Sequence, residues 1–172
     1  IVSCGELIDT IRTTLLGHEA GAYTSASKLR RGVFEDANGH TLFLDDIAKL
    51  PYGLHGALHR VLEYGDFRRV GGTHSLSTDV RIVAASTKNL AELVRVGQMS
   101  DELRFRLEVF PIRVPPLRDR GDDKVELTQY FLKLFGQQHE KVIKLDESAI
   151  NFINSYHWPG NIRELKNEME RL

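Results

Sequence analysis

The sequence predicts an α/β fold in which helices cover both faces of a parallel sheet, followed by a small helical unit. Runs rich in β-branched or aromatic residues predict four strands, at residues 1–4, 41–47, 80–86 and 109–114. Segments with helical periodicity lie between these runs. Apolar strands that alternate with amphipathic helices favour a parallel sheet, because parallel strands need crossover connections and are buried on both faces.

The clearest helix of the first region follows Pro51, a residue that is expected near a first helical turn. Its apolar residues recur at the spacing i, i+3, i+4, i+7 and i+8, as Leu54, Ala57, Leu58, Val61 and Leu62. Three more helices are predicted nearer the C-terminus, at about 125–138, 147–156 and 160–172. The charge-rich segment 118–123 between the two regions contains Gly121 and has no periodicity. We therefore expect an α/β core at residues 1–120 and a helical domain at residues 121–172.

The composition is that of an ordinary globular protein. The 172 residues include 23 Lys plus Arg and 24 Asp plus Glu, a net charge of −1, and 41% are hydrophobic. Such a balance gives no overall field that would attract nucleic acid or an anionic membrane. The one cysteine, Cys4, cannot form an internal disulfide, and no apolar run approaches the roughly 20 residues of a membrane span. We expect a cytoplasmic protein with no membrane contact and, because Ile1 follows no Met or leader, a piece of a longer protein.

Two adjacent carboxylates, Asp45 and Asp46, end the second predicted strand. At the C-terminal edge of a parallel strand, such a pair can hold Mg²⁺ through water and orient a water molecule for phosphate chemistry. The alternative is that Asp46 caps the next turn and Asp45 is only solvated. His55 and His59 have the spacing of a zinc pair, but Gly56 stands where a zinc protease has Glu, so we do not expect zinc.

Two groups of basic residues and one small polar segment predict surface features. Lys28, Arg30 and Arg31, and the pair at residues 68–69, are typical of solvated faces and do not resemble a base-reading element. The segment 21–26 reads Gly-Ala-Tyr-Thr-Ser-Ala, which predicts an exposed loop whose tip could insert into a partner.

Four motifs occur in a fixed order, at residues 17–26, 39–46, 109–120 and 158–165. They read GHEAGAYTSA, GHTLFLDD, VFPIRVPPLRDR and WPGNIREL. Together they resemble the AAA+ domain of bacterial enhancer-binding proteins, the sigma-54-dependent transcription activators. The resemblance runs over the whole chain. It implies an AAA+ parallel sheet with a helical lid, whose first strand and Gly-rich Walker A loop would lie upstream of Ile1.

The resemblance implies a protein that assembles with itself, as a ring or a dimer, binds ATP with Mg²⁺, and acts on an RNA polymerase sigma factor. In this family a Gly-Ala-Phe-Thr-Gly-Ala loop contacts sigma-54, and Ala22, Tyr23, Thr24 and Ser25 match its central positions. Tyr23 replaces the Phe and Ser25 replaces the second Gly. The family usually adds a receiver domain, as in two-component systems, or a sensor domain, and a C-terminal domain that binds DNA. Both would lie outside these residues.

Several catalytic positions differ from the family pattern. Asp45 and Asp46 match the Walker B pair, which is normally Asp-Glu, so the second carboxylate is one methylene shorter. Ser3 stands where an Asn usually switches the Walker B Glu, and Thr87 stands at the sensor Asn. These changes imply weaker activation of the attacking water.

Two arginines of the family reach the nucleotide of the neighbouring subunit. Here Ser100 occupies the first of these positions and only Arg106 matches the second, while Arg163 matches the sensor II arginine that touches the nucleotide phosphates. An arginine finger contributes roughly 10³ to 10⁵ in rate to phosphoryl transfer. The resemblance therefore implies at most a weak ATPase.

Two functions remain open at this point. The first is a transcription regulator in which the domain serves nucleotide-dependent assembly with weak or absent ATP hydrolysis. Some degenerate members of the family answer to a cyclic dinucleotide, so cyclic di-GMP is a candidate controlling ligand, although no residue indicates it directly. The alternative is a working ATPase that remodels sigma-54 RNA polymerase, which the retained Asp45, Arg106, Arg163 and Thr24 favour.

Overall fold

The structure, a computed structural model, describes residues 1–5, 10–138 and 143–171. It divides into two compact units, Ile1–Pro111 and Ile112–Leu172. The boundary that we predict from the sequence, after Arg120, falls inside the second unit and just before its first long helix. None of the described helices combines the length and the apolar character that a membrane span needs.

The elements of the first unit are, in chain order, β1 (Val2–Ser3), α1 (Ile11–Leu16), α2 (Val33–Asp36), β2 (Thr41–Asp45), α3 (His55–Tyr64), β3 (Asp66–Phe67), β4 (Leu76–Ser77), β5 (Arg81–Ala84), α4 (Leu90–Arg95) and α5 (Asp101–Leu107). The second unit contains α6 (Asp123–Gln138), α7 (Glu147–Ser155) and α8 (Asn161–Glu170). Short 3₁₀ turns lie at Ile47–Lys49, Tyr52–Leu54 and Leu117–Asp119.

The parallel sheet predicted from the sequence is confirmed. Its strands lie in the order β1-β2-β5, and both pairs are parallel, with Ser3 opposite Asp45 and Leu44 opposite Ala84. The central strand, β2, buries Leu42 and Leu44 completely, as expected for a strand with neighbours on both sides. A separate antiparallel hairpin, β3 with β4, is not predicted by the sequence because each of its strands has only two residues.

The helix predicted after Pro51 is also confirmed, although its start is later. A 3₁₀ turn at Tyr52–Leu54 separates the proline from α3. The buried apolar residues of this segment, Leu54, Leu58 and Val61, belong to the predicted apolar stripe. They pack in the main core with residues of α1, α2, β2 and α5, among them Leu15, Phe34, Leu44 and Leu103.

The strand predicted at residues 109–114 is wrong. This segment has no regular secondary structure, and Val109, Phe110, Ile112 and Val114 are 75%, 83%, 78% and 81% exposed. A strand exists only where a neighbour completes its hydrogen bonds, and no described strand pairs with this run. Pro111 also removes one backbone donor. The apolar, β-branched composition therefore indicates a preference for extended backbone, but it does not show that a neighbouring strand is present.

The three helices predicted in the second unit are confirmed, and their observed first and last residues differ from the predicted ones by at most two positions. They enclose a small core built from Leu117, Phe131, Leu132, Phe135, Ile153, Trp158, Leu165 and Met169. The Trp158 indole N–H donates to the Ile153 carbonyl at 2.9 Å. Asn161, with φ +54°, accepts the Leu117 N–H at 2.8 Å and so attaches the start of α8 to the segment before α6.

Candidate functional site

Asp45 and Asp46 are adjacent in sequence but lie in different surroundings. Asp45 is the last residue of β2 and is exposed. Asp46 adopts a left-handed conformation, with φ +51°, and opens the 3₁₀ turn Ile47–Lys49. The Ile47 N–H donates to the Ala85 carbonyl at 2.8 Å, which fixes the turn to the end of β5. The two carboxylates therefore do not act as one symmetric pair.

Asp46 is held by two side chains. Lys49 Nζ lies 2.9 Å from Asp46 Oδ2, and the Thr87 hydroxyl donates to Asp46 Oδ1 at 3.3 Å. The hydrogen bond from Lys49, followed by smaller contributions from its charge and from Thr87, lowers the pKa of the Asp46 carboxyl. A carboxylate with a lowered pKa is a poor proton acceptor, so this arrangement weakens Asp46 as a general base.

The structure brings the Thr87 hydroxyl to Asp46 but does not bring Ser3 there, although the resemblance places Ser3 where an Asn contacts the second Walker B carboxylate. Ser3 lies opposite Asp45 in the strand register, and its hydroxyl makes no hydrogen bond within the described residues. The sequence does not predict the ion pair of Lys49 with Asp46. The available signal was its position three residues after Asp46, which in a 3₁₀ turn places both side chains on one side.

Cys4 is buried beside the two carboxylates. Its N–H donates to the Asp45 carbonyl at 2.9 Å, and the residue is completely buried. Burial first, and then the negative charges of Asp46 and Asp45, raise the pKa of the Cys4 thiol to about 11. The thiol therefore stays protonated at neutral pH and is not a nucleophile.

The exposed carboxylate of Asp45 fits a Mg²⁺ ion held through water. Among the described residues it has no hydrogen-bond or ion-pair partner that would have to be displaced. No described group of three or more His, Cys, Asp or Glu could hold a metal ion alone. Such a Mg²⁺ would depend on water and phosphate oxygens for its other ligands, which is its usual coordination in nucleotide sites. His55 is excluded as a zinc ligand because its Nε2 donates to the buried Leu50 carbonyl at 3.1 Å.

Arg106 lies near the C-terminal end of α5 and forms an ion pair with Glu63 of α3. The guanidinium side chain is 45% exposed, so part of it faces solvent. Ser100 occupies the N-cap of the same helix without a side-chain capping bond. In the second unit, Arg163 is exposed on α8 and has no ion-pair partner among the residues described there. The sequence does not predict the ion pair of Arg106 with Glu63.

The loop at residues 21–26 is closed by its own backbone. Gly21 N–H donates to the Ala26 carbonyl at 2.7 Å, and Ala26 N–H donates to the Tyr23 carbonyl at 2.9 Å. Thr24 and Ser25 are exposed at the tip. Ser25 does not adopt positive φ, so the loop conformation does not require the glycine that relatives of the resembled family carry there.

The aromatic residue of this loop folds back on its stem. The Tyr23 ring meets the His18 ring edge-on, with centroids 5.0 Å apart, and Tyr23 is 42% exposed. His18 pairs with Arg30 in an antiparallel bridge and with Val70 in a parallel one. Three chain segments therefore meet at the stem of the loop, one of them from the β3–β4 hairpin connection.

Two glycines allow these segments to approach. A Cβ atom on Gly32 would lie 2.3 Å from the Gly17 nitrogen and 2.4 Å from the Leu15 carbonyl oxygen. Any side chain there would clash with backbone, which cannot move out of the way as a flexible side chain could. Gly17 itself has φ +71°, a conformation that favours glycine.

Arg69 connects the loop stem to α2. Its guanidinium donates to both carboxylate oxygens of Glu35, at 2.7 and 2.6 Å, and to Glu19 at 2.9 Å. The hydrogen bonds from Arg69 are the main cause of the lowered pKa of the Glu35 carboxyl. The sequence prediction of a solvated face at residues 68–69 is thus wrong for Arg69, whose side chain is only 15% exposed because two carboxylates enclose it.

The remaining basic residues follow the sequence prediction. Lys28 and Arg30 are exposed, and Arg31 pairs with Glu35 and Asp36 while 60% of its side chain stays exposed. These positions form no enclosed site of their own.

Known families match both units of the chain. The sigma-54 interaction domain matches residues 1–113, and the AAA+ ATPase lid domain matches residues 118–172. The chain belongs to the AAA+ domains of sigma-54-dependent transcription activators. Its three-helix second unit is thus the lid of such a domain.

Individual relatives agree with this assignment. The nitrogen fixation protein AnfA of Azotobacter vinelandii is 44% identical over 171 residues, 98% of this chain and 32% of AnfA. The regulatory protein AtoC of Escherichia coli is 40% identical over 172 residues, 99% of this chain and 37% of AtoC. The crystal structure of NtrX from Brucella abortus matches with a TM-score of 0.87 at 32% identity, over 99% of this chain and 39% of that one. This AAA+ domain therefore spans about a third of the length of the curated relatives it matches.

Proposed function

We propose that this AAA+ domain binds ATP with Mg²⁺, assembles with copies of itself in response to the nucleotide, and hydrolyses ATP weakly or not at all. The observation that carries the weak hydrolysis is the ion pair between Asp46 and Lys49. A general base works best when its pKa lies near the working pH, whereas the pKa of Asp46 is lowered. The carboxylate that should activate water is already neutralised by a cation.

Nucleotide binding is supported by the neighbouring structures and by the retained side chains. NtrX from Brucella abortus has been crystallised in complex with ADP and in complex with ATP, and these structures match this chain with TM-scores of 0.86 and 0.85. Asp45 has an exposed carboxylate without a partner among the described residues, which suits water-bound Mg²⁺. The exposed Arg163 matches the family position whose guanidinium binds phosphate. When bound, the Mg²⁺ ion would neutralise charge on the phosphates.

Self-association is proposed because the nucleotide of one subunit would be contacted by an arginine of the next. In a heterologous ring each subunit offers one surface to the next, so Arg106 of one subunit would reach the nucleotide of its neighbour. The exposed part of its guanidinium is consistent with a second binding partner. With Ser100 in place of the other arginine, each interface would supply one cation to the transition state instead of two.

The loop at residues 21–26 is the proposed contact with an RNA polymerase sigma factor. Tyr23 and Thr24 are exposed at a tip that its own hydrogen bonds hold in place. The ion pairs of Arg69 attach the stem to Glu35 on α2, the helix that directly precedes β2 and its acidic pair. Changes at the nucleotide site thereby have a physical route to the loop.

The deciding experiment measures steady-state ATP hydrolysis by the full-length protein with Mg²⁺, at concentrations that allow assembly, with nucleotide binding followed separately by a fluorescent ATP analogue. We expect clear binding and very low turnover. Lys49→Gln should raise turnover by releasing Asp46, whereas the matched control Lys88→Gln, which changes an exposed lysine beside Thr87, should not. Turnover by the parent equal to that of AtoC assayed in parallel would contradict the proposal.

The second candidate is a working ATPase that remodels sigma-54 RNA polymerase. The exposed Thr24 and the retained Asp45 and Arg106 favour it. On this alternative, Thr24→Ala abolishes activation of a sigma-54 promoter while ATP hydrolysis persists. Survival of activation in that variant would eliminate the alternative, because the loop would not be the contact.

For the whole protein we propose DNA binding through a C-terminal domain and control by a receiver domain or by cyclic di-GMP. Calorimetric titration of the full-length protein with cyclic di-GMP tests the ligand directly. A saturable heat, absent with GMP, supports control by the cyclic dinucleotide. If high ligand concentrations give no heat of binding, cyclic di-GMP is eliminated as the controlling ligand.

A further inference from the structure

Helices α3 and α5 lie side by side, and two contacts hold their ends together. At one end, the Ser100 N–H at the N-cap of α5 donates to Nδ1 of His55, the first residue of α3, at 3.3 Å. Near the other end, Glu63 of α3 forms the ion pair with Arg106 of α5. His55 is 2% exposed and its other ring nitrogen also has a partner, so this end is fixed.

The Glu63–Arg106 contact is asymmetric in its exposure. The side chain of Glu63 is 24% exposed, and its Oε2 atom, the one that contacts Arg106, is shielded from solvent. Arg106 is nearly half exposed. Among the described residues, Arg106 is the one cation within ion-pair distance of Glu63. Withdrawal of the arginine would therefore leave a shielded carboxylate oxygen without a partner, which is unfavourable.

We propose that Glu63 restrains Arg106 within its own subunit, so that the nucleotide phosphates of a neighbouring subunit must displace this carboxylate before the interface can close. This inference rests on the proposed role of Arg106 at the neighbour's nucleotide. A guanidinium binds carboxylate and phosphate oxygens with the same planar fork, so the two partners compete for the same donors. Glu63 is a positioning residue, since it acts on the nucleotide only through Arg106.

The competition has a measurable consequence for assembly. Glu63→Gln keeps the shape of the side chain but removes the negative charge, so Arg106 becomes available to the neighbour at lower subunit concentration. Partly exposed ion pairs contribute little free energy, so their removal has a modest effect. We expect the concentration for half-assembly to be about two- to fivefold lower in Glu63→Gln than in the parent. Glu63→Asp keeps the charge on a shorter side chain and should fall between the parent and Glu63→Gln.

The experiment uses the full-length protein with Mg²⁺ and the non-hydrolysable analogue β,γ-imido-ATP, and sedimentation velocity gives the concentration for half-assembly. Glu108→Gln is the matched control, because Glu108 forms an ion pair on α5 with Arg104 and not with Arg106. Melting curves confirm that each variant is folded; should Glu63→Gln not fold, Glu63→Asp carries the test. Assembly without nucleotide is measured in parallel.

We expect tighter assembly of Glu63→Gln only with the nucleotide analogue, and no such gain when Arg106→Ala is added. Unchanged or weaker assembly of Glu63→Gln overturns the proposal that Glu63 restrains Arg106. An equal shift without nucleotide also overturns it, because it would show a purely structural effect of the substitution. These outcomes are separable from failure of the proposed function. If Arg106→Ala alone assembles like the parent, Arg106 does not act across the interface and the proposed function loses that step.

Discussion

The ion pair between Arg69 and Glu35 should contribute measurably to the stability of the first unit, and Glu35→Gln removes its charge without changing its shape. Three charge-assisted hydrogen bonds of 2.6 to 2.9 Å converge on Arg69, and the two main side chains are only 15% and 13% exposed. Gln retains one acceptor, so we expect a loss of about 2 kcal/mol, not the sum of three charged bonds. For a protein of this size that is a fall in melting temperature of about 4–8 °C.

The pH dependence gives this prediction its sign. The pKa of Glu35 is lowered in the folded protein from its ordinary value of 4.5. The stabilisation by the ion pair is therefore fully present above that value and is lost as the pH falls through the folded pKa. The parent and Glu35→Gln should therefore differ most at neutral pH and converge in acid. Differential scanning calorimetry is the suitable assay, because the single tryptophan, Trp158, lies in the second unit and reports little on the first.

Glu92→Gln is the control for charge removal alone. Glu92 pairs with Arg95 on α4, but both side chains are exposed, 69% and 74%, so its loss should cost no more than about 0.5 kcal/mol. If Glu35→Gln melts no lower than this control, or if its deficit is the same at neutral and acid pH, the ion pair is not what holds the loop stem to α2.

Three further predictions concern Cys4, Leu165 and Asn161. Cys4, completely buried and with its thiol pKa raised to about 11, should not react with Ellman's reagent at pH 8 until the protein is denatured; rapid reaction of the native protein would show that the thiol is accessible. Leu165→Ala should destabilise the second unit by about 2–5 kcal/mol, measured by Trp158 fluorescence in guanidinium, because the side chain is fully buried there; a loss below 1 kcal/mol would mean that the core refills. Asn161→Ala should destabilise the second unit by about 1–2 kcal/mol, because alanine tolerates the positive φ poorly and loses the hydrogen bond from the Leu117 N–H. Asn161→Gly should cost less, since glycine adopts positive φ without strain. Equal losses in the two variants would assign the whole effect to the side chain.

Periodicity predicted the elements that are long or central. The apolar stripe after Pro51 identified α3, and the run at residues 41–47 identified β2, because both bury one continuous set of side chains. The same reasoning failed at residues 109–114, where the composition of a strand is present without a neighbouring strand. It also missed the β3–β4 hairpin, whose two-residue strands are shorter than any period that could reveal them.

The residues of the site were accessible to sequence reasoning one at a time, but their partners were not. Thr87 and Asp46 were both identified, yet the cation that neutralises Asp46 was overlooked although it is only three residues away. Arg69 and Glu35 are 34 residues apart in the sequence. Their segments meet near the place where Gly17 and Gly32 allow two backbone segments to pack closely. Such pairings depend on the path of the whole chain and not on local propensity.

On the proposed function, signalling without hydrolysis would use the path between the acidic pair and the loop at residues 21–26. Glu35 lies in α2, which ends at Asp36, and a four-residue turn leads from there to the start of β2 at Thr41. Asp46 follows directly after β2 ends. This five-residue strand has neighbours on both sides and buries Leu42 and Leu44, so it is the most constrained strand of the sheet. On the proposed function, a change in the contacts of Asp46 on nucleotide binding would reach Glu35 through β2 and the turn before it, and Arg69 would carry it to the loop stem. Binding alone supplies that change, whether or not hydrolysis follows.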